Sequence, residues 1–282
     1  MKLVRYGPAG AEKPGLVDAE GHVRDLSQHV ADINPSVLAP DRLAALAALA
    51  TDSLPEVDGS PRLGPPVIGT SNVPAIGLNY ADHAAETGAD APAEPIIFNK
   101  APSCISGPND PIILPKGSEN TDYESELAVI IGTRAQYVDE ADAFDYVAGY
   151  AVMNDVSERM YQKTGTGQWT KGKSFESFGP LGPWLVTADE VPDPQALNIW
   201  LTVNGERRQD SNTSNMIFSV AHLISYASKF FTLLPGDIIT TGTPPGVGAG
   251  MKPPTFMKSG DEVRLGVEGL GEQVHTVKNW GA

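Results

Sequence analysis

Cysteine is nearly absent: Cys104 is the only one in 282 residues. That excludes an internal disulfide framework and a cysteine-based zinc cluster. Basic residues are scarce as well, with 20 Lys and Arg against 35 Asp and Glu and a formal net charge of −15. Duplex nucleic acid and anionic membrane surfaces are gripped by basic side chains, so neither suits this chain as a partner. A small anionic substrate would need a local positive centre within that acidic field, and a bound metal ion can supply one. No apolar run approaches the roughly 20 residues that span a bilayer. The first ten residues carry no apolar core of signal-peptide length, so the expected compartment is the cytoplasm. No Gly-x-Ser-x-Gly elbow occurs, which removes the usual serine nucleophile of the α/β-hydrolases.

What is present is glycine and proline, 29 and 24 respectively, without a periodic repeat. Together with 41% hydrophobic and 20% charged residues, they point to a globular chain of short strands and tight turns. Leu3–Tyr6, Gly15–Asp18 and Val23–Leu26 read as strands, and Pro40 opens an Ala/Leu-rich helix to about Ala50 with Asp41 near its cap. Residues 51–68 are rich in Pro, Gly, Asp and Ser, and a domain boundary is placed near residue 68. Beyond it, Ala75–Leu78, Leu127–Ile131, Tyr146–Met153 and Ile238–Thr241 read as strands. The alternation of Leu197, Ile199, Leu201 and Val203 before Asn204-Gly205 predicts a hairpin. Helical spacing of Ile217, Val220, Ala221, Ile224, Ala227 and Phe231 predicts a helix over 215–232, stopped by Pro235-Gly236. With no βαβ rhythm, the expected fold is α+β and strand-rich, a mixed β-sandwich or β-roll.

Two constellations can carry chemistry. Glu124 and Glu126 project from one face if both lie on the strand that continues through Leu127–Ile131, and Asp155 sits where another apolar strand ends. Carboxylates held side by side repel unless a cation lies between them, and an all-oxygen set suits Mg²⁺ or Mn²⁺. The competing reading is a solvated edge strand carrying unrelated acids. His83 and Glu86 stand three residues apart, contact distance on a helical turn, where a carboxylate orients an imidazole as a general base. Here the competing reading is a surface histidine near a chance glutamate.

Two other motifs are decoys. Gly167-Gln168-Trp169-Thr170-Lys171-Gly172-Lys173-Ser174 satisfies the phosphate-loop pattern. Its polar, glycine-containing upstream flank and proline-terminated downstream flank supply neither the buried strand nor the helix that such a loop requires. Gly246-Val247-Gly248-Ala249-Gly250 lacks the full dinucleotide spacing and runs into Lys252-Pro253-Pro254, which is incompatible with a helix.

Several segments, in order, resemble the fumarylacetoacetate hydrolase family: Gly77-Leu78-Asn79-Tyr80-Ala81-Asp82-His83-Ala84-Ala85-Glu86, Asp122-Tyr123-Glu124-Ser125-Glu126-Leu127, Asn154-Asp155-Val156-Ser157-Glu158-Arg159 and Gly172-Lys173-Ser174-Phe175. Phe178–Pro183 and Thr241–Gly248 add to the match, which runs from about residue 70 to 282. The amino-terminal Leu3–Gly7 and Glu12–Leu16 runs and the Gly260–Gln273 tail resemble a bacterial branch often labelled ureidoglycolate lyase, similar to 2,4-dioxo-3-deoxy-rhamnonate and fuconate hydrolases.

The resemblance implies a β-roll catalytic domain of the fumarylacetoacetase C-terminal type over 69–282, after a small amino-terminal α+β domain and connector over 1–68. It implies a homodimer with Mg²⁺ or Mn²⁺ on Glu124, Glu126 and Asp155. It implies Lys173 as the basic residue near the metal, and His83 with Glu86 as a water-activating dyad on a lid. Tyr80, Arg159, Gln162, Gly242 and Thr243 become the expected substrate contacts. The implied activity is hydrolysis of the C3–C4 bond of a 2,4-dioxo acid to pyruvate and a small carboxylic acid; a 2-oxo-acid isomerase, tautomerase or oxaloacetate decarboxylase would share the metal ligands. Glu176 and Met160-Tyr161 depart from the family's usual aspartates and are expected near the pocket.

Overall fold

Short runs of β-branched and aliphatic residues, cut by glycine and proline turns, pair into sheets that enclose two apolar cores. The structure, a computed structural model, describes residues 1–82 and 91–282. Among them the largest sheet runs, in spatial order, Val23–Asp25, Lys13–Val17, Lys2–Tyr6, Gly179–Thr187, Val147–Asn154, Ser125–Ile131, Ile238–Thr240, Val73–Gly77 and Ile96–Lys100. Most neighbours are antiparallel, but Ile238–Thr240 pairs parallel with Val73–Gly77, so the sheet is mixed. A second sheet holds Glu206–Asn212, Asn198–Val203, Glu262–Val267, Gly271–Asn279 and Ile112–Leu114. The result is a strand-rich α+β fold in which no described helix is long and apolar enough to cross a membrane.

Every residue of Ser125–Ile131 is buried. Because successive side chains point to opposite faces, Leu127, Val129 and Ile131 enter the core facing the second sheet, while Ala128 and Ile130 enter the other core with Leu3, Leu16, Leu26 and Ile33. Burial on both faces explains why this strand reads as a continuous apolar run rather than an alternating one. The amino-terminal strands continue the same sheet, with Leu3 opposite Leu185. Each fully buried aliphatic side chain here contributes about 1.5–3 kcal/mol, so the double-sided strand is a rigid floor for whatever its amino-terminal end presents.

Asn204 (φ 51°) and Gly205 (φ 78°) form the expected two-residue hairpin turn, in the left-handed pair that matches strand twist. The helix predicted over 215–232 is shorter, Val220–Ser228. Ser219 caps it through His222 N–H, and the Phe218 and Ile217 N–H groups are already taken by Asn79. Periodicity therefore overran the cap. The first helix spans Pro40–Ala47; its cap position is Ala39, with Asp41 in the first turn rather than capping.

Candidate metal centre

The register Ser125↔Asn154 sets the ends of two central strands side by side. Asn154 Oδ1 accepts the Glu124 N–H (3.0 Å) and the Glu124 carbonyl accepts the Asp155 N–H (2.9 Å), which locks those two residues face to face. Glu126 follows two positions along. One ligand oxygen from each of Glu124, Glu126 and Asp155 lies within 4.8 Å of the others, and all three residues are buried. The convergence expected from sequence is present, and the solvated-edge alternative is excluded.

Buried cations surround this set. Lys173 Nζ donates to Glu124 (2.7 Å) and to Asp155 (2.6 Å). Arg159 pairs with Glu124 (2.6 Å) and Asp122 (2.8 Å). Lys100 Nζ donates to the other Asp155 oxygen at 2.5 Å and to the carbonyl of Lys173. Burial opposes ionisation of Glu124, but the charges of Arg159 and Lys173 outweigh it and hold the carboxyl down at about 2. Burial also opposes the charged form of Lys173, yet Asp155 and Glu124 raise its pKa above the usual lysine value.

Glu126 differs. One oxygen accepts the Gly242 N–H (2.9 Å), and the other, Oε1, is buried without a hydrogen-bond partner among the described residues. Burial first, then the neighbouring charges of Asp155 and Glu124, push its carboxyl well above the ordinary range. A buried acceptor without a donor is costly. The ion pairs of Lys100, Arg159 and Lys173 go to Asp122, Glu124 and Asp155, and none goes to Glu126 among the described residues. Three hard oxygen donors, one of them unsatisfied, fit a divalent cation such as Mg²⁺ or Mn²⁺.

Short elements position the rest. The pair Thr121–Asp122 and Ser157–Glu158 delivers the chain into the helix Arg159–Lys163. Glu158 caps that helix at Met160 N–H and is itself held by Thr121 Oγ1 (2.9 Å) and Ser118 Oγ. Asp122 accepts the N–H groups of Gly248 (2.7 Å) and Ala249 (2.9 Å), tying the glycine-rich loop to the site and accounting for the dinucleotide-like motif. The phosphate-loop decoy resolves too: its Lys173 ends a four-residue helix, Thr170–Lys173, and spends its charge on carboxylates.

A 290 Å³ cavity opens over the site, lined by Glu124, Glu126, Arg159, Gln162, Lys173 and Thr243, with Ile76, Leu78, Phe98 and Trp169 as an apolar wall. Trp169 sits so close to Gly77 that a Cβ there would come within 2.4 Å of its ring. Gln162 and Arg159 are thus brought to the cavity with the carboxylates. Gly242 contributes its N–H to Glu126, and Thr243 Oγ1 donates to the Ser125 carbonyl while accepting from Gln209 Nε2 (2.8 Å). Tyr80 is fully buried, does not line the cavity, and its Oη has no hydrogen-bond partner among the described residues. His83 and Glu86 lie outside the described residues. Glu176, Met160 and Tyr161, expected near the pocket, are exposed and are not among the residues that line it; Glu176 borders a separate surface cavity.

Sequence reasoning missed Lys100, Asn154 and Gln209. The only signal for Lys100 was a lysine closing the apolar run Ile96-Ile97-Phe98. Gln209, which accepts the Ser125 N–H and bridges to Thr243, lies in a polar hairpin strand and carried no signal at all.

Residues 72–278 match the family described as fumarylacetoacetate (FAA) hydrolase C-terminal. The chain belongs to that family. A curated relative from Burkholderia ambifaria (strain MC40-6), named only as a hydrolase, is 58% identical over 280 residues, 99% of each chain. The solved structure of maleylpyruvate hydrolase from Sphingobium sp. SYK-6, in complex with manganese (II) ion and pyruvate, is 30% identical over 99% of each chain, with a TM-score of 0.83. That of 2-hydroxyhepta-2,4-diene-1,7-dioate isomerase from Mycobacterium marinum is 33% identical over 100% of each chain, with a TM-score of 0.76. The FAA-hydrolase fold thus serves both hydrolases and isomerases among proteins similar to this one.

Proposed function

We propose that this chain is a divalent-metal-dependent hydrolase that cleaves the C3–C4 bond of a 2,4-dioxo acid, an acylpyruvate or a 2,4-dioxo-3-deoxy sugar acid, into pyruvate and a small carboxylic acid. The observation that carries the reading is the triad Glu124, Glu126 and Asp155, with Glu126 Oε1 unpartnered among the described residues and both glutamates lining a cavity of small-molecule size. The manganese and pyruvate of the Sphingobium enzyme support it.

Glu124, Glu126 and Asp155 would hold Mg²⁺ or Mn²⁺, which when bound supplies Lewis-acid stabilisation of charge developing on the 2-oxo group, of the order of several kcal/mol. The chain's own residues do the rest. Lys173 and Arg159 keep Glu124 ionised at neutral pH. Arg159 also fixes the Gln162 amide, whose oxygen accepts from Nη1 (2.9 Å). Gln162 and Thr243, both on the cavity wall, are assigned to orienting the substrate. His83, oriented by Glu86, takes a proton from water, and the water oxygen bonds to C4. The C3–C4 pair then collapses toward C2, giving the enolate of pyruvate, and the proton held on His83 is returned to C3. Ile76, Leu78, Phe98 and Trp169 make the cavity wall apolar, which strengthens these electrostatic effects.

The test is pyruvate release from a panel of acylpyruvates and dioxo-deoxy sugar acids, with and without EDTA. Turnover should vanish in EDTA and return with Mg²⁺ or Mn²⁺, and the second product should be a carboxylic acid. Full activity in EDTA, or release of carbon dioxide or a rearranged substrate in place of a carboxylic acid, would overturn the assignment. The homodimer belongs to the same proposal, and sedimentation equilibrium should give twice the chain mass.

A further inference from the structure

Among the described residues Glu124 and Asp155 are each gripped by two buried cations, whereas no lysine or arginine pairs with Glu126. The direction of the Glu126 carboxylate therefore depends on its one hydrogen bond among those residues, from the Gly242 N–H to Oε2 (2.9 Å). Gly242 is in a left-handed conformation (φ 92°) outside any strand, so its N–H is placed by whatever ties down the loop that follows.

Gln209 ties that loop down. Of the seven residues in Glu206–Asn212 it alone is buried, and it is 0% exposed. Its orientation is determined: the Pro244 carbonyl only accepts, so the amide nitrogen faces it (2.8 Å) and also donates to Thr243 Oγ1 (2.8 Å). The amide oxygen accepts the Ser125 N–H (2.9 Å). Thr243 Oγ1, receiving from Gln209, gives its own proton to the Ser125 carbonyl (2.9 Å), which closes a ring through Ser125, Gln209 and Thr243. The two peptide groups in that ring join Ser125 to Glu124 on one side and to Glu126 on the other. A leucine or methionine would fill the core without the cost of burying an amide. Here every amide bond goes instead to the two segments that hold Glu126.

We propose that Gln209 is a positioning residue of the metal centre. It clamps the Gly242–Pro244 loop to the ligand-bearing strand at Ser125, which keeps Glu126 Oε2 on the Gly242 N–H and leaves Oε1 for the cation. The inference rests on the reading of Glu124, Glu126 and Asp155 as cation ligands, and it extends the centre to a strand of the second sheet.

The experiment titrates Mn²⁺ alone into the metal-free, full-length protein by calorimetry, with circular dichroism confirming that each variant is folded at the titration temperature. Gln209→Met should weaken Mn²⁺ binding by about 10–100-fold, the usual effect of losing a group that orients a ligand. Thr243→Val opens the same ring from the loop side without altering the hairpin strand, and should weaken binding to a similar degree. Because both act through one ring, the double variant should bind about as weakly as either single one. Arg62→Met, which loses stability far from the ring, should bind Mn²⁺ as the wild type does, separating positioning from mere destabilisation. Wild-type affinity in folded Gln209→Met or in Thr243→Val, or losses that simply add in the double variant, would overturn the clamp. If Gln209→Met does not fold, Thr243→Val decides in the same way. Failure of the wild type to bind Mn²⁺ would overturn the metal-site reading and the positioning role together. If the affinity losses appear while no acylpyruvate releases pyruvate, the hydrolase assignment falls and the role of Gln209 stands.

Discussion

Replacing Glu126 by glutamine should make the metal-free protein more stable and metal-insensitive at once. In the metal-free chain, Glu126 Oε1 is a buried acceptor with no donor among the described residues, beside two other carboxylates. Its carboxyl is raised by burial and by the charges of Asp155 and Glu124. A carboxyl whose folded pKa exceeds its unfolded value favours the folded state below the unfolded pKa, and that contribution is lost as pH rises toward the folded value. At neutral pH the wild type therefore bears a penalty that Gln lacks. The amide still presents an oxygen to Gly242 N–H, and its nitrogen can donate to Glu124 or Asp155.

Leaving a buried polar group unsatisfied costs about 1–3 kcal/mol. For a chain of this size that corresponds to a melting shift of roughly 2–5 °C. Metal acts on the same group from the other side: at about 100 times its Kd, a cation should stabilise the wild type by about 2.7 kcal/mol. Thermal unfolding followed by circular dichroism, in EDTA and in excess MnCl₂, separates the two effects. The wild type should melt lower than Glu126→Gln in EDTA and rise in Mn²⁺, while the variant should not respond. A variant that melts below the wild type in EDTA and gains as much from Mn²⁺ would refute the reasoning.

Lys100→Met should destabilise the fold by about 3–5 kcal/mol, because Asp155 loses one of its two buried cations; a urea-denaturation loss below about 1 kcal/mol would contradict that. His83→Ala should lower kcat by about 10²–10⁴-fold with Mn²⁺ affinity nearly unchanged, and an unaltered kcat would remove the dyad from the mechanism. Outside the metal site, burial would raise the carboxyls of Glu12 and Asp110, but their bonds to Arg62 hold both below the ordinary range. Depressed carboxyls stabilise the fold above about pH 4 and lose that contribution as pH falls through their folded values. The stability gap between wild type and Arg62→Met should accordingly be full at neutral pH and close in acid; a gap independent of pH would show that Arg62 acts only through packing.

Much of this site was legible before any coordinates because its ligands fall at pattern breaks. Glu124 and Glu126 stand at the polar start of an apolar strand, and Asp155 at the polar end of another. The strand boundaries were legible for the same reason, since glycine and proline turns interrupt β-branched runs. The amphipathic helix was over-extended because apolar spacing persists through Ile217 and Phe231 while the cap sits at Ser219.

Local chemistry along the chain thus settled which residues are acidic and which runs are strands. Those properties depend on neighbours within a few positions, where periodicity, turn residues and charge are all visible. Which cation answers which carboxylate was decided only in three dimensions. Lys100 reaches Asp155 across 55 positions, and Gln209 reaches Ser125 across 84. Such contacts leave no periodic trace. A buried charge is selected by the desolvation it must offset, and desolvation depends on what the whole fold packs around it.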